Sequence, residues 1–116
     1  MSLFDTSKTI EMLRKNQFKT GYISVITLIE ILRGVKENKR SKVKELLETV
    51  FDVLPIDNDV ILEYCVLYQK LKERGQLVSD ADLLIAATAR SRNLTVITND
   101  KDSLRLRNLG VKVKNN

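Results

Sequence analysis

The chain has 116 residues, 43% of them hydrophobic, with a formal net charge of +5, one cysteine and no histidine. That length builds one domain, residues 1–116, burying on the order of two-thirds of the surface that its unfolded form would expose. Without histidine there is no imidazole acid–base pair and neither a Ser-His-Asp nor a Cys-His nucleophile arrangement. A single cysteine permits no internal disulfide and no cysteine-rich zinc site, and no apolar run reaches membrane-spanning length, so the expected setting is reducing and cytoplasmic.

In chain order, Ser2 to Phe4 reads as a short apolar strand, and Asp5-Thr6-Ser7 as a turn of helix-capping residues before Ile10, Met12 and Leu13. Gly21-Tyr22-Ile23 is a second strand, and Ser24 caps a helix expected over residues 25–37. On its wheel Val25, Leu28, Ile29, Ile31, Leu32 and Val35 form one broad apolar face, with Glu30, Arg33 and Glu37 opposite. An amphipathic helix follows over 40–50, then a strand from Asp52 to Ile56 that Pro55 makes brief or confines to an edge. A longer helix spans 58–74 and ends at Gly75; Cys65, among Val60, Ile61, Tyr64, Val66, Leu67 and Tyr68, is expected to be a small core residue on it. Gln76 to Asp80 is a connection, and Asp82 to Ser91 is apolar nearly all round, the pattern of a buried helix. Leu94 to Thr98 is a strand, Lys101 to Arg107 a short helix, and Val111 to Val113 a last strand after Gly110. Alternating strands and helices predict an α/β fold, a three-layer α/β/α sandwich around a mostly parallel sheet.

Four carboxylates sit at the edges of these aliphatic stretches. Asp5 and Asp100 fall at strand carboxyl ends, where open α/β sheets collect their ligands. The short link Arg92-Asn93 turns the helix that begins near Asp82 antiparallel to the strand at Leu94, which brings Asp82 toward the edge that carries Asp100. Glu30, in the second turn of a helix that directly follows a strand, overlooks the same edge. Each acid has an ordinary explanation: Asp5, Asp82 and Asp100 could be helix caps worth about 1 kcal/mol apiece, and Glu30 could be solvated. Four together raise one another's pKa and repel unless a cation compensates, and a hard divalent ion that activates water suits a histidine-free chain. The basic run Arg33, Lys36, Lys39, Arg40, Lys42 and Lys44 could draw in a polyanion, although Glu37, Glu45 and Glu48 interleave with it.

The blocks Leu3-Phe4-Asp5-Thr6-Ser7, Ile23 to Gly34, Asp82 to Ala89 and Val96-Ile97-Thr98-Asn99-Asp100, in this order and spacing, resemble the PIN domain family and within it the VapC-type toxin ribonucleases. The resemblance implies a parallel sheet with flanking helices, a pocket binding Mg²⁺ or Mn²⁺, and endonucleolytic cleavage of RNA. It assigns Asp5, Glu30, Asp82 and Asp100 to the pocket as catalytic and metal-ligating acids, with Thr6, Ser7 and Thr98 as polar neighbours. It also implies a homodimer held inactive by a cognate antitoxin.

Lys8 and Ser103 depart from the pattern. Lys8 could contact phosphate or pair with an acid, its default being solvent; Arg33 could bind RNA phosphate or pair with the acids. Asp80 and Asp102, each two residues from a motif acid, are alternative ligands. A non-catalytic PIN-like module that binds RNA or protein is the competing reading. A phosphatase of the haloacid dehalogenase type would want a second aspartate where Ser7 stands.

Overall fold

The computed structural model describes residues 1–76 and 78–115. Three-residue strand β1 (Ser2–Phe4) leads into α1 (Thr6–Lys15), which stops where Asn16 takes the left-handed conformation. Strand β2 (Tyr22–Ser24) runs straight into α2 (Val25–Arg33), whose first turn is closed by the Ser24 hydroxyl accepting from the Ile26 amide at 3.0 Å. There follow α3 (Glu37–Val50), β3 (Asp52–Leu54), α4 (Asn58–Glu73), α5 (Asp80–Ser91), β4 (Thr95–Thr98), a 3-10 helix (Lys101–Leu109) and β5 (Val113–Asn115).

The helix expected over 25–37 stops at Arg33, and the next begins at Glu37 rather than residue 40. Arg40 bridges the break: its Nε donates to the carbonyls of Leu32, in the last turn of α2, and of Val35 beyond it, at 3.1 and 2.9 Å, from the side of α3. One residue of the basic run is therefore occupied in holding two helices together. Helix α4 ends as expected, with Gly75 at φ +64° supplying the left-handed residue beyond its last turn. Of the expected connection Gln76 to Asp80, Leu77 lies outside the described residues, and Asp80 already belongs to α5. The last strand is Val113–Asn115, not residues 111–113.

The described strands form one sheet in the order β3-β2-β1-β4-β5, and every pairing is parallel. From β1 the chain builds outward through β2 to β3 on one side, then crosses back to β4 and β5 on the other. The strand order thus reverses between β1 and β4. Successive strand residues point to opposite faces, so each face has its own core. Leu3, Val96 and Val113 pack with Val60 and Leu67 of α4 and Leu83, Ala86 and Ala87 of α5. Phe4, Ile23 and Ile97 pack on the other side with Met12 of α1, Leu28 and Ile31 of α2, and Leu47 and Phe51. The three-layer sandwich expected from the alternation is what forms.

Two apolar assignments are corrected. Cys65 is exposed, and it lies on α4 beside the equally exposed Ile61, Leu62 and Val66. The core face of α4 is instead the stripe Val60, Leu67 and Leu71. Ile29, placed by the wheel on the apolar face of α2, is 55% exposed. In both helices the aliphatic residues outnumber the positions that the sheet can cover.

Candidate metal centre

A crevice beyond the strand carboxyl ends, where the order of a doubly wound sheet reverses, is where such folds bind ligands. Here that point lies between β1 and β4, and Asp5 and Asp100 leave those two strands. The Asp5 amide donates to the Ile97 carbonyl at 3.0 Å, carrying the β1–β4 ladder one residue past the strand. Its carboxylate then caps α1: Oδ1 accepts from the Lys8 amide at 2.9 Å and from the Ser7 hydroxyl at 2.7 Å. Among the described residues no donor reaches Oδ2. A buried charge, only 8% exposed, is thus tolerated at a helix N-terminus whose amides favour it.

Ser7 stitches β1 to β4. Its one hydroxyl proton goes to Asp5, so it accepts from the Asn99 amide at 3.1 Å and, at 3.4 Å, from Thr98. Thr98 in turn accepts the Asp100 amide at 2.9 Å. Thr6 does the equivalent for α2, donating to Glu30 Oε1 at 2.6 Å and meeting the buried Thr27 hydroxyl at 3.0 Å. Glu30 is therefore not a solvated surface acid; its side chain is 21% exposed, and its other oxygen stands 3.7 Å from the Arg33 guanidinium. Thr27 is a supporting residue that the sequence reading missed. The available signal was a lone hydroxyl in an aliphatic helix, one turn before Glu30.

Asp82 is not the cap of α5. Ser79 is, accepting from the Asp82 amide at 3.2 Å, which leaves the Asp82 carboxylate in the first turn, turned toward the crevice. Asp100 does cap the 3-10 helix, its Oδ1 accepting from the Asp102 amide at 2.9 Å. Of the alternative ligands, Asp80 points away, accepting from the Tyr64 hydroxyl at 2.6 Å and pushing that phenol up to about 12. Asp102 lines the same outer pocket as Asp82 and Asp100.

The four acids meet electrostatically at Asp82. Its pKa is raised, first by partial desolvation, against the lowering effect of its Ser79 hydrogen bond, and then by the negative charges of Glu30, Asp5 and Asp100. Each of those three comes from a different element, and only the fold brings them within reach. Among the described residues no three carboxylates stand close enough to hold an ion as they are. The donor set fits a hard cation: it is all oxygen, with no sulfur or imidazole, and the Asp5 carboxylate keeps an oxygen that no donor among the described residues reaches.

Lys8 is not in solvent, contrary to its default reading. It is 5% exposed, and its ammonium meets Glu11 Oε1 at 3.0 Å one turn on. Glu11 also pairs with Lys15 at 3.5 Å and accepts from the Asn99 side chain, and its carboxyl is held below the usual range chiefly by the Lys8 hydrogen bond, against desolvation. The Asn99 bond to Glu11 ties α1 to the loop that carries Asp100. Lys8→Ala is expected to lower the thermal midpoint by several degrees, since burying its methylenes contributes about 0.8 kcal/mol each. Lys8→Met, which keeps most of that stem, should lose far less; equal losses by circular dichroism would place the stabilisation in the ion pair instead.

The fold is a doubly wound parallel sheet that gathers carboxylates from several elements around the crevice at its switch point. Residues 3–109 match the PIN domain family, and the chain belongs to that family. Ribonuclease VapC1 of Methanocaldococcus jannaschii is 36% identical over 115 residues, spanning 96% of this chain and 85% of that protein. A chain of VapBC-1 from nontypeable Haemophilus influenzae shares the fold with a TM-score of 0.82 at 23% identity, over 98% of this chain and 96% of that one. A chain of VapBC-5 from Mycobacterium tuberculosis, a member of the VapBC family of toxin-antitoxin systems, is 31% identical with a TM-score of 0.71, over 97% and 94% of the two chains. PIN-domain ribonucleases generally depend on divalent metal ions. No helix among the described residues is long and apolar enough to cross a membrane.

Proposed function

We propose that the chain is a Mg²⁺- or Mn²⁺-dependent endoribonuclease, the toxin of a toxin–antitoxin pair, working in the cytoplasm as a homodimer until a cognate antitoxin binds it. The observation that carries the reading is the gathering of Asp5, Asp82 and Asp100 around adjoining pockets where the strand order reverses, with Glu30 tied to the same edge through Thr6. The ribonuclease name of the relative from Methanocaldococcus jannaschii supports RNA as the substrate, and the toxin–antitoxin title of the VapBC-5 structure supports the partner.

Asp5, Glu30, Asp82 and Asp100 would hold the ion, which when bound polarises a phosphate oxygen and lowers the pKa of a water. The chain's other contributions are positional. Ser7 fixes the Asp5 carboxylate and the end of β4 together, Thr6 fixes Glu30, and Thr98 fixes the backbone from which Asp100 projects. Groups locked in this way lose little freedom when a substrate arrives. The haloacid-dehalogenase alternative lacks its second acid, since residue 7 is a serine, whose hydroxyl donates to Asp5.

The test is cleavage of end-labelled structured RNAs, transfer RNA among them, with Mg²⁺ or Mn²⁺ and with chelator. Discrete cuts that need the metal are expected; folded protein that cuts none of them under any metal would favour the non-catalytic PIN-like module. Arg33, exposed on α2 beside Glu30, gives a second check. Arg33→Ala is expected to weaken RNA binding severalfold and to reduce the salt slope by about 0.7 for one single-strand phosphate contact. An unchanged slope would leave Arg33 as a partner of Glu30 alone.

A further inference from the structure

Outside the acids the sheet edge opens into a pocket of about 400 Å³, within the range of sites that hold small organic ligands. Asp82 and Asp100 line one part of it, and Ser103 and Arg105 belong to the 3-10 helix beside them. Among the described residues lining the pocket, Arg105 is the one cation. Ser103 lines both this pocket and the small cavity to which Asp5 and Asp82 contribute.

The element that carries both residues is anchored at each end. Asp100 caps its start, and its finish is held by Arg90 Nη1 donating to the carbonyls of Leu109 and Gly110 at 3.2 and 3.1 Å. Leu106 and Leu109 sink its underside into the core. In a 3-10 helix residues three apart eclipse one another, so Asp102 and Arg105 share the pocket side. Arg105 is thereby presented from a fixed base, at the rim of a pocket whose other charged residues among those described are Asp82, Asp100 and Asp102.

A phosphodiester approaching four carboxylates is repelled, and an ion among them offsets only part of that. A guanidinium supplies what is missing, with a planar fork matched to two phosphate oxygens. We infer that Arg105 and Ser103 form the phosphate-holding side of the substrate pocket. The Arg105 guanidinium pairs with the phosphate adjoining the scissile one, and the Ser103 hydroxyl donates to the same backbone, which makes both substrate-positioning residues. The inference rests on the nuclease reading and adds to it a direction: the RNA backbone leaves the acids over the 3-10 helix.

The test has a kinetic arm and a binding arm. In the kinetic arm, Arg105→Ala is expected to raise KM about ten- to a hundredfold, the scale of one charge-assisted contact, with kcat within a few-fold. Arg105→Lys should recover part of that loss and Ser103→Ala should raise KM a few-fold, all three variants melting close to the parent. In the binding arm, fluorescein-labelled single-stranded RNA is titrated in chelator at several salt concentrations, and Arg105→Ala should reduce the salt slope by about 0.7. An unchanged slope, or a loss confined to kcat, would overturn the inference and make Arg105 a counter-ion of the acids. A parent protein that binds RNA but never cuts it would sink the nuclease reading, while the salt slope would still decide Arg105.

Discussion

Asp82→Asn is expected to abolish metal-dependent RNA cleavage while making the metal-free protein more heat-stable at neutral pH. The first effect follows from removing a ligand charge: several kcal/mol of transition-state stabilisation pass through such an ion, and each about 1.4 kcal/mol is tenfold, so the loss should be about a thousandfold or more. The second follows from the raised pKa of Asp82. In the folded protein its carboxyl holds its proton to a higher pH than in the unfolded chain. The native state therefore binds more protons between the two values, and stability falls with rising pH. That stability is fully present below the ordinary aspartate value and is lost as pH rises through the raised one. Asparagine, uncharged throughout, escapes the loss. Ser79 and the dipole of α5 act the other way, since both favour a negative charge in the first turn, but the net shift is upward and sets the sign. Melting curves in chelator from acid to neutral pH check this: the parent should lose ground to the variant as pH rises, and Mn²⁺ should restore the parent alone. A variant that melts lower than the parent at neutral pH would mean that the Ser79 bond dominates and that Asp82 is structural.

Asp5 separates charge from shape. Asparagine caps a helix about as well as aspartate, so Asp5→Asn should keep the hydrogen bonds from the Lys8 amide and the Ser7 hydroxyl and melt near the parent, while cleavage falls by about a thousandfold. Asp5→Ala loses the cap as well, at about 1 kcal/mol, and leaves Ser7 without its acceptor, so the melting point should drop by several degrees. Single-turnover cleavage and thermal circular dichroism on the two variants give the comparison. If asparagine destabilises as much as alanine, the negative charge of Asp5 is itself structural.

Much of this site was legible in the chain because its parts are tied to local grammar. An aspartate directly after an apolar strand must lie at that strand's carboxyl end, and a two-residue link must turn a helix back antiparallel to its strand. Asp5, Asp100 and Asp82 could therefore be assigned to one edge without coordinates. The errors fall where burial is decided by neighbours far away in sequence. Cys65 sits in an aliphatic run, yet only the Val60, Leu67 and Leu71 stripe of α4 is covered. Lys8 reads as a surface lysine, yet the close approach of α1 to the β4 loop buries its stem and turns its ammonium to Glu11. Helix α2 ends early, with Arg40 of the next helix reaching back to the carbonyls of Leu32, in its last turn, and of Val35 beyond it.

By itself, the sequence determined the alternation of strands and helices, the exclusion of imidazole and disulfide chemistry, and the choice of four acids as candidates for one edge, because periodicity, capping residues and composition are local properties. The tertiary structure alone decided what those acids experience. It set the strand order that places β4 beside β1, made the Ser7–Thr98 and Thr6–Glu30 contacts across 91 and 24 residues of chain, and left Asp102 facing the pocket while Asp80 turned to Tyr64. Burial, and after it the charges of Glu30, Asp5 and Asp100, act through space and not along the backbone, so the raised pKa of Asp82 comes into being only in the folded chain.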